Sequence, residues 1–90
     1  MQRNDSGRND YAKNLVEYIA LSLVDDPSSV QVFQDRNGNK VRLELHVAKD
    51  DMGRVIGKSG RVANAIRDIL RVASARDGRQ VTLDVMEPES

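Results

Sequence analysis

Two glycines bracket the stretch Gly57-Lys58-Ser59-Gly60, and helical spacing lies on both sides of it. No other feature constrains the chain as tightly. Glycines at both ends of so short a link let the backbone bend sharply and let a ligand's backbone approach closely. The second helix must start at the link, so its unpaired amides and positive dipole end point at whatever sits there. A plain helix–helix turn needs only one such glycine. The pair is therefore read as a ligand loop.

The loop also contains Gly-Lys-Ser, the ending of a nucleotide-binding P-loop. A P-loop has four residues between its glycines and follows a buried strand. Gly53 and Gly57 are separated by three residues, and the preceding VAKDDM is short and charged. No later apolar strand ends in a magnesium-binding Asp. The unit is G-x-x-G and not a triphosphate cradle. Lys58 adds a mobile charge, Ser59 a hydroxyl donor, and Arg54 and Arg61 flank them. Such a site suits phosphates in a row.

Formal charge is zero, with 14 basic and 14 acidic side chains. Its distribution is uneven. Residues 49–76 carry seven basic and three acidic groups, net +4, whereas residues 1–30 and 77–90 are net −2 and −3. A local patch around the loop, and not the overall charge, is the electrostatic footprint of an anionic partner.

Other functions find little support. There are no cysteines, so neither a disulfide framework nor a thiolate zinc site is expected. His46 has no second histidine with which to share a metal, and no cofactor is expected. Asp25-Asp26 and Asp50-Asp51 are adjacent pairs whose side chains point apart, where helix ends need caps or turns. The sequence places no base beside Ser59. No enzyme is read here. No apolar run approaches the ~20 residues of a membrane span, and no signal peptide opens the chain. A soluble cytoplasmic protein is expected.

Residues 1–9 are polar and read as a flexible tail. Asp10 can cap a helix over residues 11–24, where Ala12, Leu15, Val16, Ile19, Ala20 and Leu23 recur at helical spacing. Tyr11 and Tyr18 share a face of it, as core or as interface. Pro27 stops the helix. Two strands follow, VQVFQD and KVRLELHV, joined through Asn37-Gly38, a hairpin signal because both residues tolerate positive φ. Val41, Leu43, Leu45 and Val47 alternate with Arg42, Glu44, His46 and Ala48, giving one buried and one largely polar face. Asp50 or Asp51 would cap a short helix ending at Gly57.

The next helix is RVANAIRDILRVASA. Val62, Ile66, Ile69 and Ala73 form its apolar stripe, widened by Ala65 and Leu70, with Arg61, Asn64, Asp68 and Arg71 opposite. Arg67 and Arg71 fit either a binding patch or a solvated face. Asp77-Gly78 ends this element. The last strand, QVTLDVM, puts Val81, Leu83 and Val85 on one face, and residues 87–90 form an acidic tail. The order α-β-β-α-α-β makes one domain over residues 10–86. It is an α+β fold in which helices cover one face of a three-stranded sheet.

The stretch GRVIGKSGRVANAIRDIL resembles the core of a KH domain, whose G-x-x-G loop clamps four nucleotides of single-stranded backbone. The element order is that of the type II KH fold, and KDDMGRVIGKSGRVANAIR is similar to the KhpA family of bacterial RNA-binding proteins. The resemblance implies that Gly57, Lys58, Ser59 and Gly60 contact the sugar–phosphate backbone of single-stranded RNA, reinforced by Arg54 and Arg61. It makes Val55, Ile56, Val62 and Ile66 candidates for the apolar floor under the bases, some of them belonging to the core. The strand opposite would offer polar contacts to base edges, with Arg42, Glu44 and His46 all open as candidates.

One Phe and two Tyr, none near the loop, depart from an aromatic stacking platform and imply weak binding by a single copy. Useful affinity then needs more than one domain. The family implies such partners: a homodimer, or a heterodimer with a KhpB-type KH protein. It implies an RNA chaperone or post-transcriptional regulator linked to cell length and peptidoglycan homeostasis. The alternative is a protein-interaction or dimerisation scaffold that keeps the KH fold but binds little RNA. The intact Lys58-Ser59 loop favours RNA.

Overall fold

A computed structural model describes residues 11–87. The expected tail at 1–9, the Asp10 cap and residues 88–90 of the expected acidic tail lie outside the described residues. Three strands, β1 (Gln31–Asn37), β2 (Lys40–His46) and β3 (Gln80–Met86), form one sheet in that order. Val41, Leu43 and Leu45 alternate along β2 and are at most 3% exposed, as the strand pattern requires of a central strand with one covered face. β1 runs antiparallel to β2, and β3 runs parallel to it.

A parallel neighbour needs a crossover. Two helices supply it: α2 (Met52–Ile56) and α3 (Arg61–Ala75), while α1 (Tyr11–Leu23) precedes β1. All three lie on one face of the sheet. Val16 and Ala20 of α1, Val55 of α2, and Ile66 and Leu70 of α3 share a core with Val32, Leu43, Leu45 and Leu83. This is the α-β-β-α-α-β arrangement of the type II KH fold, with helices covering one face of a three-stranded sheet.

The hairpin differs from expectation by one residue. Asn37 pairs with Lys40, so the turn centres on Gly38 and Asn39 instead of Asn37-Gly38. Gly38 has a φ of 65° and Asn39 is not in the left-handed region, the pattern of a type II′ turn. Contacts from β3 hold this choice. Asn39 Nδ2 donates to the Gly78 carbonyl at 3.2 Å, and the Gln80 N–H donates to the Asn39 carbonyl at 2.9 Å.

The buried stripe of α3 is also rotated from expectation. Ala63, Ile66, Leu70 and Ser74 are buried, whereas Ala65 is exposed and Ile69 is 47% exposed. Ala63 and Ser74 are small enough to let the helix bed closely on its neighbours. A reading that weighs only large apolar residues passes over both.

Among the described residues, the opposite face of the sheet carries no helix. Arg42 lies there, with Nε 3.1 Å from Asp84 Oδ2 and Nη2 3.1 Å from Glu44 Oε2. The Asp84 carboxylate, then that of Glu44, raises the Arg42 pKa above its ordinary value.

Candidate nucleic-acid interface

α2 ends at Ile56, α3 begins at Arg61, and Lys58–Gly60 forms a single 3-10 turn between them. Gly57, Ser59 and Gly60 have φ values of 77°, 58° and 77°. A Cβ on Gly57 would lie 2.5 Å from Val62 Cγ2 and 2.8 Å from the Val62 backbone nitrogen, a contact that no rotamer change relieves. Gly60 has space around it, with the nearest atom to such a Cβ 3.7 Å away. Its left-handed backbone alone calls for glycine. Ser59 is the single non-glycine residue with positive φ among the described residues. Backbone in that region concentrates at ligand clamps and switches.

Lys58 and Ser59 are exposed at the tip of the loop. α3 starts with Gly60 in the N-cap position, without a side-chain cap and without an acidic residue in its first turn. The Gly60 and Arg61 N–H groups bond the Gly57 and Lys58 carbonyls, and the helix dipole favours an anion beyond them. Among the described residues, neither Lys58 nor Arg61 is in an ion pair. The local field at the loop is therefore positive.

Arg54 is differently placed. Its Nη2 lies 2.8 Å from Asp25 Oδ2, and its Nε lies 3.3 Å from Asp51 Oδ1. Two carboxylates offset its charge. Asp51 is 2% exposed, and its two carboxylate oxygens accept the backbone N–H groups of Asp25 and Asp26, each at 3.0 Å. This corrects the expected cap: the Asp51 side chain makes no bond to its own helix. It instead joins the chain after α1 to the helix that carries the loop. Asp26 in turn caps the short turn Pro27–Ser29. Hydrogen bonds from the Ser28 and then the Ser29 hydroxyl hold its carboxyl below the usual aspartate range.

The apolar candidates divide in two. Val55 and Ile66 are 0% and 3% exposed and belong to the core. Ile56 and Val62 are half-buried beside that core, so they retain apolar surface next to the loop. The strand beside α3 is β3, an edge strand. Arg67 Nε donates to the Leu83 carbonyl at 3.1 Å, and Arg67 Nη1 donates to Asn64 Oδ1 at 3.1 Å. Asn64 and Arg67 thus line the seam between α3 and the sheet edge. Helix spacing alone carried no signal of that bond. Arg71 pairs with Asp68 on the solvated face. Arg42, Glu44 and His46 lie on the helix-free face of the sheet and not at this seam. Tyr11 and Tyr18 are 58% and 71% exposed, so neither is core.

Comparison with known proteins agrees with this geometry. Residues 13–85 match the family described as KhpA/KhpB, KH domain. The chain is 45% identical over 75 residues to RNA-binding protein KhpA of Halalkalibacterium halodurans, across 83% of this chain and 99% of that protein. It is 45% identical over 74 residues to RNA-binding protein KhpA of Clostridium acetobutylicum, across 82% of this chain and 99% of that one. With RNA-binding protein KhpA of Chlamydia trachomatis the identity is 41% over 75 residues, across 83% and 96%. Sheet order, loop geometry and these similarities converge, and the chain belongs to the KhpA/KhpB family of KH-domain proteins.

Proposed function

We propose that this protein binds single-stranded RNA through the Gly57–Gly60 loop. The observation that carries the reading is the loop itself: three left-handed residues at an uncapped helix start, with Lys58 and Arg61 unpaired among the described residues. Backbone phosphates lie against the loop amides, Lys58, Ser59 and Arg61. Bases rest on Ile56 and Val62. Arg54 acts mainly by holding α2 in place. The protein is a binding module without catalysis, working in the cytoplasm. The names of its relatives favour RNA over single-stranded DNA.

A single groove with no aromatic beside it holds RNA weakly, so a second KH domain adds the missing affinity. Homodimers, or heterodimers with a KhpB-type KH protein, supply it. Exposed Tyr11 and Val72 line one concavity on the helical layer, a surface suited to such pairing. The family setting adds the role of RNA chaperone or post-transcriptional regulator in cell-length and peptidoglycan homeostasis. The same exposed surface is what favours the second reading, a dimerisation scaffold with little RNA binding.

Fluorescence anisotropy with a single-stranded RNA pool, at two salt concentrations, separates them. The native chain is expected to bind and to weaken with salt. Lys58→Asp/Ser59→Asp is expected to abolish binding while keeping its circular dichroism spectrum, since both positions are exposed and Asp tolerates the left-handed backbone of Ser59. Equal binding by both proteins ends the clamp reading. Absence of binding by a native chain that still dimerises establishes the scaffold.

A further inference from the structure

The helix-free face of the sheet has a composition that its solvent exposure does not explain. Parallel strand pairs are ordinarily covered on both faces, yet among the described residues β2 and β3 are covered on one. The single Phe of the chain, Phe33, stands on the bare face and is 52% exposed. Its ring meets His46 edge to face, with centroids 5.0 Å apart and planes at 88°. Register places His46 opposite Met86 on β3. Phe33, His46 and Met86 line one concavity of about 600 Å³, in which Glu87 is the charged neighbour.

The charge of this face is opposite to that of the loop. Strand alternation and register put Asp35, Glu44 and Asp84 on it, with Lys40 and Arg42 as cations. Arg42 is already held by Glu44 and Asp84. Adding Glu87, four carboxylates meet two cations among the described residues of this face. An RNA backbone is repelled here. A cationic partner is attracted, and an aromatic ring face accepts an Arg or Lys side chain as well as an aliphatic one.

We propose that this face docks a basic, amphipathic segment of a partner protein, with Phe33 as the apolar anchor and the carboxylates as a cation-selecting rim. The site is independent of the RNA loop, which lies on the helical side. A KH module of this kind holds RNA with one side and a basic protein segment with the other.

The test uses the full, isotope-labelled chain and amide NMR spectra. The probe is a synthetic amphipathic helix of leucine and lysine; the control is the same peptide with glutamate for lysine. The lysine peptide is expected to shift the amides of Gln31, Phe33, His46 and Met86, and the glutamate peptide is not. Phe33→Ser is expected to weaken binding about 10-fold or more, as loss of a buried aromatic anchor does. Phe33 is exposed, so the fold survives. Asp35→Asn/Glu87→Gln, which leaves Phe33 in place, is expected to weaken binding and reduce its salt dependence. Lys58→Asp/Ser59→Asp, which removes the RNA loop, is expected to leave the peptide-induced shifts of the Phe33 face in place. Shifts confined to α1 and α3, or no shifts, overturn the proposal. So does an oligouridine that moves the Phe33 face, or shifts there that depend only on protein concentration, which would assign the face to RNA or to a second copy.

Discussion

The buried carboxylate of Asp51 accepts the backbone N–H of Asp25 at 3.0 Å, 26 residues away in the chain. Its second oxygen takes the N–H of Asp26. One side chain thereby ties the exit of α1 to the entry of α2, whose far end is the glycine loop. Asp51→Asn retains the shape but loses the charge and one acceptor oxygen. It is expected to destabilise the protein by about 1–3 kcal/mol, the cost of leaving a buried hydrogen-bonding group unmatched. Urea denaturation checks this through the midpoint at constant m. An unmoved midpoint would show that water replaces these bonds without loss.

The three glycines around the loop should respond to the same substitution in three ways. Gly57→Ala places a methyl against the Val62 backbone and is expected to cost most and to distort the loop. Gly60→Ala meets no obstacle but keeps a left-handed φ, at a cost of about 1–2 kcal/mol. Gly53→Ala, helical and with nothing within 4 Å, is expected to gain about 0.5–1 kcal/mol. Thermal melts rank them. Any order that places Gly53→Ala lowest contradicts the geometry.

Arg54 and Arg61 flank the same loop but should fail differently. Arg61→Gln is expected to leave stability unchanged and reduce the magnitude of the RNA salt slope by about 0.7, one phosphate contact on a single strand. Arg54→Gln removes the ion pairs to Asp25 and Asp51, so its effect is expected in denaturation and much less in the salt slope. Paired denaturation and binding titrations decide. Identical behaviour of the two variants would mean that Arg54 leaves its carboxylates when RNA binds.

Asp26 supplies a pH dependence. Its carboxyl is held below the ordinary aspartate value by the Ser28 and Ser29 hydroxyls. A depressed folded pKa contributes stability above the unfolded pKa, about 3.9, and that contribution is lost as pH falls through the lowered folded value. Ser28→Ala/Ser29→Ala is expected to raise the Asp26 pKa towards normal and flatten this part of the acid limb. An NMR titration of the Asp26 carboxyl reads it directly, and an unchanged midpoint would refute the hydroxyls as the cause.

Much of the fold was legible in residue order. Val41 to Val47 alternates with period two, and Gly57 and Gly60 punctuate two helices, each through local sterics; α1 ends at Leu23, before Pro27, which opens the short turn Pro27–Ser29. The loop residues were legible for the same reason. The turn centre at Gly38-Asn39 was not, because β3 residues near Gly78 and Gln80 hold it. Nor was the role of Arg54, whose nominal charge counted toward the basic patch until Asp25 and Asp51 were brought beside it.

Local propensity acts between near neighbours, so the order of elements and the G-x-x-G loop follow from short stretches of chain. The rotation of α3 that buries Ala63 and Ser74 and exposes Ile69, the burial of Asp51, and the bare acidic face around Phe33 depend on groups far apart in sequence. They exist only once the core closes, because burial and hydrogen bonding are set by what the completed fold places within a few ångströms of each side chain.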